Sequence, residues 1–324
     1  MMTKPLCVVA DVGGTNTRVA LADGLTLRPG SVARFRNAEY AGLGQVLVEY
    51  LSRAGVAGVD AACAACAGPV RDGVARLTNL DWRIDAALLQ GATGAGRMAI
   101  LNDLQAQGHA LGHIEAANLR PLINGPQMSG AAMLVVGVGT GFNAAPVHDA
   151  GTARLVPPSE SGHVNLPVAT EQDFRLARFV EAQLGFASVE EVLSGRGIEM
   201  LYAFAAAEMR EDLHLTAAEI PGAIAAGDPV ACLAGRLFAR MLGMVVGNLA
   251  LTNLPFGGIY LIGGVARAMG GMLETAPDQI GAFAEAFAAK GRFSGFMQSF
   301  SVQLIEDDYA ALIGCAAALD RTAH

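Results

Sequence analysis

Val8-Val9-Ala10-Asp11-Val12-Gly13-Gly14-Thr15-Asn16-Thr17-Arg18 is the stretch on which the reading of this chain turns. An apolar run ends in an acid, passes two glycines and two small polar residues, and resumes as Val19-Ala20-Leu21-Ala22. The pattern predicts a β-hairpin whose tight turn carries almost no side chain. Glycines there let backbone N–H groups come close to an anion, and Thr15 and Asn16 add short donors. Asp11, at the end of the first strand, is placed to hold a metal ion through water. Such a turn suits the phosphates of a nucleotide. An ordinary Gly-Gly hairpin has the same composition, so the rest of the chain has to decide between the two.

The second half echoes the first. Ala132–Val136 is an apolar run, Gly137-Val138-Gly139-Thr140-Gly141-Phe142-Asn143 a glycine-rich turn, and Ala144–Val147 a second apolar run. At an offset of 127 residues, Val8, Val9, Gly14 and Asn16 meet Val135, Val136, Gly141 and Asn143. Two strand–turn–strand units suit a duplicated fold that clamps a nucleotide between its halves. A dinucleotide fingerprint would place G-x-G-x-x-G ahead of a helix, and no P-loop pattern is present. Gly263-Gly264, after the predicted strand Gly258–Ile262, forms a third glycine junction. Side chains that small admit a flat base or ribose, and they equally serve close helix–strand packing.

The chain has 324 residues, enough for two domains, and at 52% hydrophobic residues it can bury a large core. A net charge of -8, with lysine only at positions 4 and 290, argues against a nucleic-acid partner. Met241–Ala266 carries no acid or lysine and no arginine, long enough to span a bilayer by count. Asn248, Thr252, Asn253, Pro255 and Gly257-Gly258 interrupt it, so it reads as a buried helix, a turn and a buried strand rather than a membrane span. The N-terminus shows no signal segment, and a cytoplasmic protein is expected. Five cysteines, an odd number, fit a reducing compartment. Cys63 and Cys66 form a C-x-x-C within the predicted strand Ala61–Ala67. Residues three apart in a strand face opposite ways, and no second pair completes a zinc site, so they read as structural.

Strands and helices alternate along the first half: a strand around Ser31–Phe35, a helix over Ala38–Arg53, strands at Ala61–Ala67 and Val74–Leu77, and a helix over Ile84–Gln90. Met98–Leu101 is an apolar strand running into Asn102-Asp103. Ligand sites in open α/β sheets lie at the carboxyl ends of strands, which puts these two residues where chemistry occurs. Either could also cap the helix predicted over Leu104–Leu111. Beyond Thr170 the pattern is mostly helical: Thr170–Leu184, Ser188–Leu193, Gly197–Met209, Ala217–Ala226 and Asp228–Asn253, then Gln279–Ala289, a strand Phe300–Ile305 and a final helix Tyr309–Leu319. The expected division is a small α/β domain over 1–112, completed by 307–324, and a large one over 113–306.

Glu160-Ser161-Gly162-His163 follows a Pro-Pro loop, and Glu190 lies in Ser188–Gly195. A neutral polyol needs many hydrogen bonds, and Asn102, Asp103, Glu160, His163 and Glu190 are suitable residue types. On spacing alone His163 is equally a turn residue and Glu190 part of a solvated helix N-terminus.

Taken together and in this order, Asp11-Val12-Gly13-Gly14-Thr15-Asn16, Asn102-Asp103, Gly137–Gly141, Glu160-x-Gly162-His163, Glu190-x-Val192-Leu193-Ser194-Gly195 and Phe256–Gly264 resemble bacterial glucokinase of the ATP-dependent type, within the actin-like sugar-kinase superfamily. The resemblance covers nearly the whole chain. It implies a two-domain actin-like ATPase (ribonuclease H-like) α/β fold, with a substrate cleft between a small and a large domain. It further implies transfer of the γ-phosphoryl of ATP, with Mg2+, to the 6-hydroxyl of glucose by a homodimer. The aspartate matching Asp103 is then the catalytic base, and Asn102, Asp103, Glu160, His163 and Glu190 hold the sugar. Asp11, Gly13, Gly14, Thr15, Asn16, Gly139, Thr140, Gly141, Gly263 and Gly264 face the nucleotide, and no protein side chain is expected to ligate a metal directly.

Three positions depart from the family pattern: Ser161 in place of a common glycine, Asn165 in place of a common aspartate, and Asp308-Tyr309-Ala310 where an Asn-Pro-Gly-like turn often stands. The related repressor and kinase group carries a zinc-binding cysteine cluster after its sugar histidine. Here only Cys232 and Cys315 follow His163, which disfavours that group. The alternatives are a hexose or amino-sugar kinase of broader specificity with this fold, or an actin-like ATPase that takes no sugar.

Overall fold

The computed structural model describes residues 4–77, 80–151, 153–275 and 277–321. In chain order the first elements are β1 (Leu6–Val12), β2 (Asn16–Asp23), β3 (Thr26–Leu27), β4 (Ala33–Arg36), α1 (Leu43–Arg53) and β5 (Ala61–Cys66). Next come β6 (Val70–Arg71), β7 (Val74–Arg76), β8 (Arg83–Ile84), α2 (Ala86–Thr93), β9 (Arg97–Asn102) and α3 (Asp103–Ala110). The middle holds β10 (Leu119–Ile123), β11 (Met133–Val138), β12 (Phe142–Ala150), β13 (Ala153–Leu155), α4 (Glu171–Leu184) and α5 (Gly195–Met209). The chain ends with α6 (Ile220–Ala225), α7 (Pro229–Asn253), β14 (Ile259–Ile262), α8 (Gly264–Thr275), α9 (Pro277–Ala288), β15 (Val302–Ile305) and α10 (Ala310–Arg321).

Two compact units emerge. The first comprises residues 1–116, 147–157 and 307–324, the second 117–146 and 158–306. The sequence reading draws its line at 112/113 and gives 147–157 to the large domain. In the structure the end of β12 and its hairpin partner β13 cluster with the first unit instead. Arg154 explains why: its guanidinium, only 3% exposed, donates to the carbonyls of Gly108, His109 and Leu111 at the end of α3. They lie where the intrahelical hydrogen-bond ladder of α3 runs out.

The sheet of the first unit runs β3-β2-β1-β5-β9, with β4 also on β2. The β1–β2 pair is antiparallel, whereas β1–β5 and β5–β9 are parallel. Alternation along the strands divides the core in two. Val8, Ala10, Val12, Ala62, Ala64 and Cys66 pack with α1 and α2. Cys7, Val9, Ala61, Cys63 and Ala65 pack with α3 and α10. Cys63 and Cys66 thus belong to opposite cores, both buried, as residues for packing.

In the second unit β12-β11-β14-β15 repeats the order β2-β1-β5-β9, a hairpin followed by two parallel strands. The duplication suggested by four matched residues is therefore a duplication of topology. β10 then adds to β15 in antiparallel. Among the described helices α7 alone is long and apolar enough to cross a membrane, and 72% of its apolar window is buried inside the protein. Its small faces explain the packing: a Cβ on Gly243 would lie 2.2 Å from the Phe283 carbonyl oxygen of α9.

Candidate active site

In the first unit the carboxyl ends of β1, β5 and β9 lie level, with Val12 opposite Cys66 and Cys66 opposite Asn102. That register brings the carboxylates of Asp11 and Asp103 to one edge of the sheet. Burial pushes the Asp11 carboxyl up to about 6, a rise that Asp103 adds to and Arg18 opposes. Arg18, opposite Asp11 in the hairpin, keeps its guanidinium 3.6 Å from that carboxylate. Nothing in the sequence reading singles out Arg18, although its pairing follows directly from the hairpin register.

Gly13-Gly14-Thr15 forms the turn between β1 and β2, closed by the Gly13 N–H donating to the Asn16 carbonyl at 3.0 Å. Gly14 and Thr15 are exposed and Gly13 and Asn16 half-buried. A side chain on Gly13 would bring its Cβ to 3.2 Å from the Asn16 oxygen, so the closed turn favours glycine. Asn37, absent from the sequence reading, supports this turn from behind.

The β9–α3 junction answers the question of the cap. Asn102 is the N-cap: its Oδ1 accepts from the Gln105 N–H at 2.6 Å, and Gln105 Oε1 accepts from the Asn102 N–H at 3.1 Å. This reciprocal pair was legible as Asn-x-x-Gln ahead of a helix. Asp103 occupies the first helical position instead, where its Oδ1 accepts from the Leu104 N–H at 2.8 Å. Gln105 Nε2 also donates to the Val156 carbonyl, and Gly108 leaves room for Val147 and Val156. On the far side Gly314 of α10 abuts the Ala106 carbonyl so closely that a Cβ there would overlap it. The helix that begins with Asp103 is thus fixed at both ends and on two faces.

In the second unit Gly139-Thr140-Gly141 turns between β11 and β12, closed by the Gly139 N–H on the Gly141 carbonyl at 2.9 Å. Thr140 is exposed. One of the candidate sugar residues, Glu190, is built against this turn. Glu190 Oε2 accepts from the Phe142 N–H at 2.9 Å, and a Cβ on Gly141 would sit 2.5 Å from that oxygen. The Glu190 side chain is 17% exposed, with Arg196 3.8 Å from its other oxygen. Residues 189–194 are turns and bends, not the predicted helix Ser188–Leu193, and α5 begins only at Gly195. The helix signal was an apolar spacing, Val189, Val192 and Leu193, that the turn satisfies equally by burying all three.

Glu160 and His163 are both exposed on a single 3-10 turn, Ser161–His163. That turn lies tight on β12, because a Cβ on Gly162 would be 2.0 Å from the Phe142 oxygen. Asn143 secures it. Its Oδ1 accepts from the N–H and hydroxyl of Ser161 at 3.0 and 3.1 Å, and its Nδ2 donates to the Ser159 carbonyl. Ser161 therefore adds a hydrogen bond that a glycine there could not make.

At the β14–α8 junction the two glycines separate in role. Gly263 has φ +115° and its Cβ would fall 2.3 Å from the Val138 oxygen, so close strand packing explains it. Gly264 is exposed, with open space where its Cβ would stand. Beside it lies a small apolar slot lined by Ile198, Ala217, Pro221, Phe238, Val265 and Ala268. None of those six is a site residue in the sequence reading, since each reads as an ordinary apolar packing residue.

The sequence model of the Glucokinase family matches residues 8–322. This chain belongs to the glucokinase family. It is 34% identical to the glucokinase of Marinobacter nauticus over 98% of both chains. Its structure is similar to that of a glucokinase from an Antarctic psychrotroph, with a TM-score of 0.87, 30% identity and 98% coverage of each chain. It shares its fold with a ROK family glucokinase from Streptomyces griseus in complex with glucose and AMPPNP, at a TM-score of 0.61 and 19% identity over 98% and 99% of the two chains. The fold is the two-domain actin-like fold of sugar kinases, and the reaction is ATP-dependent phosphorylation of glucose to glucose 6-phosphate. An ATPase without a sugar substrate is not favoured.

Proposed function

We propose that Asn102, Asp103, Glu160, His163 and Glu190 hold glucose, and that Asp103 takes the proton of the 6-hydroxyl as that oxygen attacks phosphorus. The observation that carries this is the β9–α3 junction: Asn102 supplies the cap, and the Asp103 carboxylate stands beside it at a strand's carboxyl end, one oxygen held by the Leu104 N–H. A charge-assisted hydrogen bond to the hydroxyl would orient it before reaction.

The turns 13–16 and 139–141 receive the phosphates, their exposed backbone offering donors where charge develops. The apolar slot beside Gly264 takes the adenine, a flat group that needs small neighbours and no charge. Magnesium fits the same reading. No cluster of three or more acidic, histidine or cysteine side chains suited to a metal exists among the described residues. Such an ion is typically held by one or two carboxylates, water and the substrate's phosphates. Asp11 is the carboxylate placed to hold it through water, and the ion would neutralise charge on the transferring group. Burial raises the Asp11 carboxyl even with Arg18 beside it, which favours a further cation there.

The remaining readings are that the enzyme is a cytoplasmic homodimer, without a nucleic-acid or membrane partner. Five free cysteines fit a reducing compartment, and sedimentation at micromolar concentration tests the assembly. Specificity is tested with a panel of sugars, magnesium and ATP, coupled to ADP release. Glucose is expected to be strongly preferred over N-acetylglucosamine, whose acetamido group would replace the hydroxyl that Glu160 and His163 are proposed to bond. Equal kcat/KM for the two sugars would overturn the assignment of Glu160 and His163.

A further inference from the structure

Asn37 is a polar residue with 1% exposure, one step beyond β4, and every hydrogen bond the structure gives it goes to the β1–β2 turn or its edges or to the turn it starts itself. Its Nδ2 donates to the Gly13 carbonyl at 2.8 Å. Its Oδ1 accepts from the Thr17 hydroxyl at 2.8 Å, and its backbone N–H donates to the Thr15 carbonyl at 2.9 Å. Residues 13, 15 and 17 are thus gripped in alternation by one asparagine.

A trans peptide is planar, with its C=O and N–H on opposite sides. Holding the carbonyl of Gly13 toward Asn37 turns the N–H of Gly14 the other way, and holding that of Thr15 does the same for the N–H of Asn16. The Gly13 carbonyl can only accept, so it fixes the NH2 end of the Asn37 amide toward itself, and the Thr17 hydroxyl secures the oxygen end by donating to it. We propose that Asn37 is a positioning residue for the nucleotide: it presets the Gly14 and Asn16 amides that receive phosphate, with Thr17 anchoring its amide oxygen. The inference rests on the reading that this turn holds phosphate.

The test compares Asn37→Asp, Thr17→Val, Thr17→Ser and Thr15→Ala with the parent enzyme. The readouts are KM for ATP, kcat, AMPPNP affinity by calorimetry, glucose affinity without nucleotide, and Tm. Asn37→Asp keeps the acceptor for Thr17 but turns an oxygen on the Gly13 carbonyl. It is expected to weaken AMPPNP and raise KM for ATP by about tenfold or more, the scale of an unpaired buried group. Thr17→Val should do so by about three- to tenfold, and Thr17→Ser should restore values close to the parent. Glucose affinity should stay within about twofold in all four, because no candidate sugar residue touches Asn37.

If Thr15→Ala weakens nucleotide binding while Asn37→Asp and Thr17→Val lower only Tm, Asn37 is merely structural and the inference falls. If all of them, Thr15→Ala included, leave AMPPNP affinity unchanged, the turn does not hold phosphate and the underlying reading falls with it. Should Asn37→Asp fail to fold, the contrast between Thr17→Val and Thr17→Ser decides the matter alone.

Discussion

Replacing Asp103 by Asn separates chemistry from scaffolding, because the cap of α3 belongs to a different residue. Asn102 and Gln105 hold the first turn through bonds of 2.6 and 3.1 Å, which the substitution leaves in place. The Asp103 Oδ1 bond to the Leu104 N–H is one that an asparagine oxygen can also make. What the fold loses is a negative charge at a helix N-terminus, worth about 0.3–1 kcal/mol. What it gains is relief of the Asp11 carboxylate, whose proton Asp103 helps to retain. These oppose one another, so stability should change by less than about 1 kcal/mol, or about 2–4 °C in Tm. Loss of a general base lowers the rate about 10²–10⁴-fold, equivalent to roughly 2.7–5.5 kcal/mol of barrier. Glucose has four other proposed partners, so its affinity should fall far less than kcat. Measuring kcat by coupled ADP release, glucose affinity by calorimetry and Tm on one preparation isolates the effect. A kcat within a few-fold of the parent refutes the base assignment, and a rate loss accompanied by a collapse in Tm refutes the separation.

The remaining predictions concern charge and close packing. Asp11, held near 6 against 3.8 when unperturbed, keeps its proton longer in the folded state, so stability is lost as pH rises from about 4 to 6 and stays lost above. Asp11→Asn should remove that slope and stabilise the magnesium-free enzyme at pH 7.5 by up to about 3 kcal/mol while lowering kcat; equal urea midpoints across this range would refute it. Gly162→Ala forces a Cβ onto the Phe142 carbonyl and should cost about 1–3 kcal/mol and raise KM for glucose, since Glu160 and His163 flank the displaced residue. Burial pushes the Asp173 carboxyl up, but Arg240 and the Ala169 and Thr170 amides outweigh it and hold it below its usual range. That pair stabilises above the ordinary carboxylate pKa and fades as pH falls through the lowered one. Arg240→Met, leaving a fully buried carboxylate unpaired, should destabilise by about 3–5 kcal/mol at pH 7, and the gap between the urea midpoints of variant and parent should narrow in acid.

Legibility followed the range of the interactions. The two glycine hairpins, the parallel strands between them and α7 were readable because each is a local pattern of period two or 3.6 closed by a recognisable turn. β10 was missed, as its Pro121 argues against a strand, and it is admitted only at the sheet's edge, beside a register shift on β15. The pairing of β12 with β13 hid its allegiance to the first unit for another reason. Its link to α3 is made by Arg154, and a surface-looking arginine gives no sign in sequence that it will be buried against helix carbonyls. Among the site residues Asp103, Glu160 and Glu190 were legible only as residue types in suggestive places. Asn37 was not, because its side-chain partners lie more than a dozen residues away, and Asn143, visible only as the echo of Asn16, gave no sign of its hold on Ser159 and Ser161.

Glu190 has consequences for anyone who wishes to change the sugar. One carboxylate oxygen is already committed to the Phe142 amide, beside the Gly139–Gly141 turn, and Gly141 is small so that this oxygen can fit. Shortening or neutralising the residue to admit a bulkier hexose would also remove the strut beneath a turn proposed to carry phosphate. Variants at Glu190 should therefore trade sugar range against ATP affinity in one step. Variants at His163, which is exposed and donates its backbone N–H to the Glu160 carbonyl, are free of that tie. If His163 holds the sugar as proposed, the open route for retargeting the enzyme toward other hexoses runs through it rather than through Glu190.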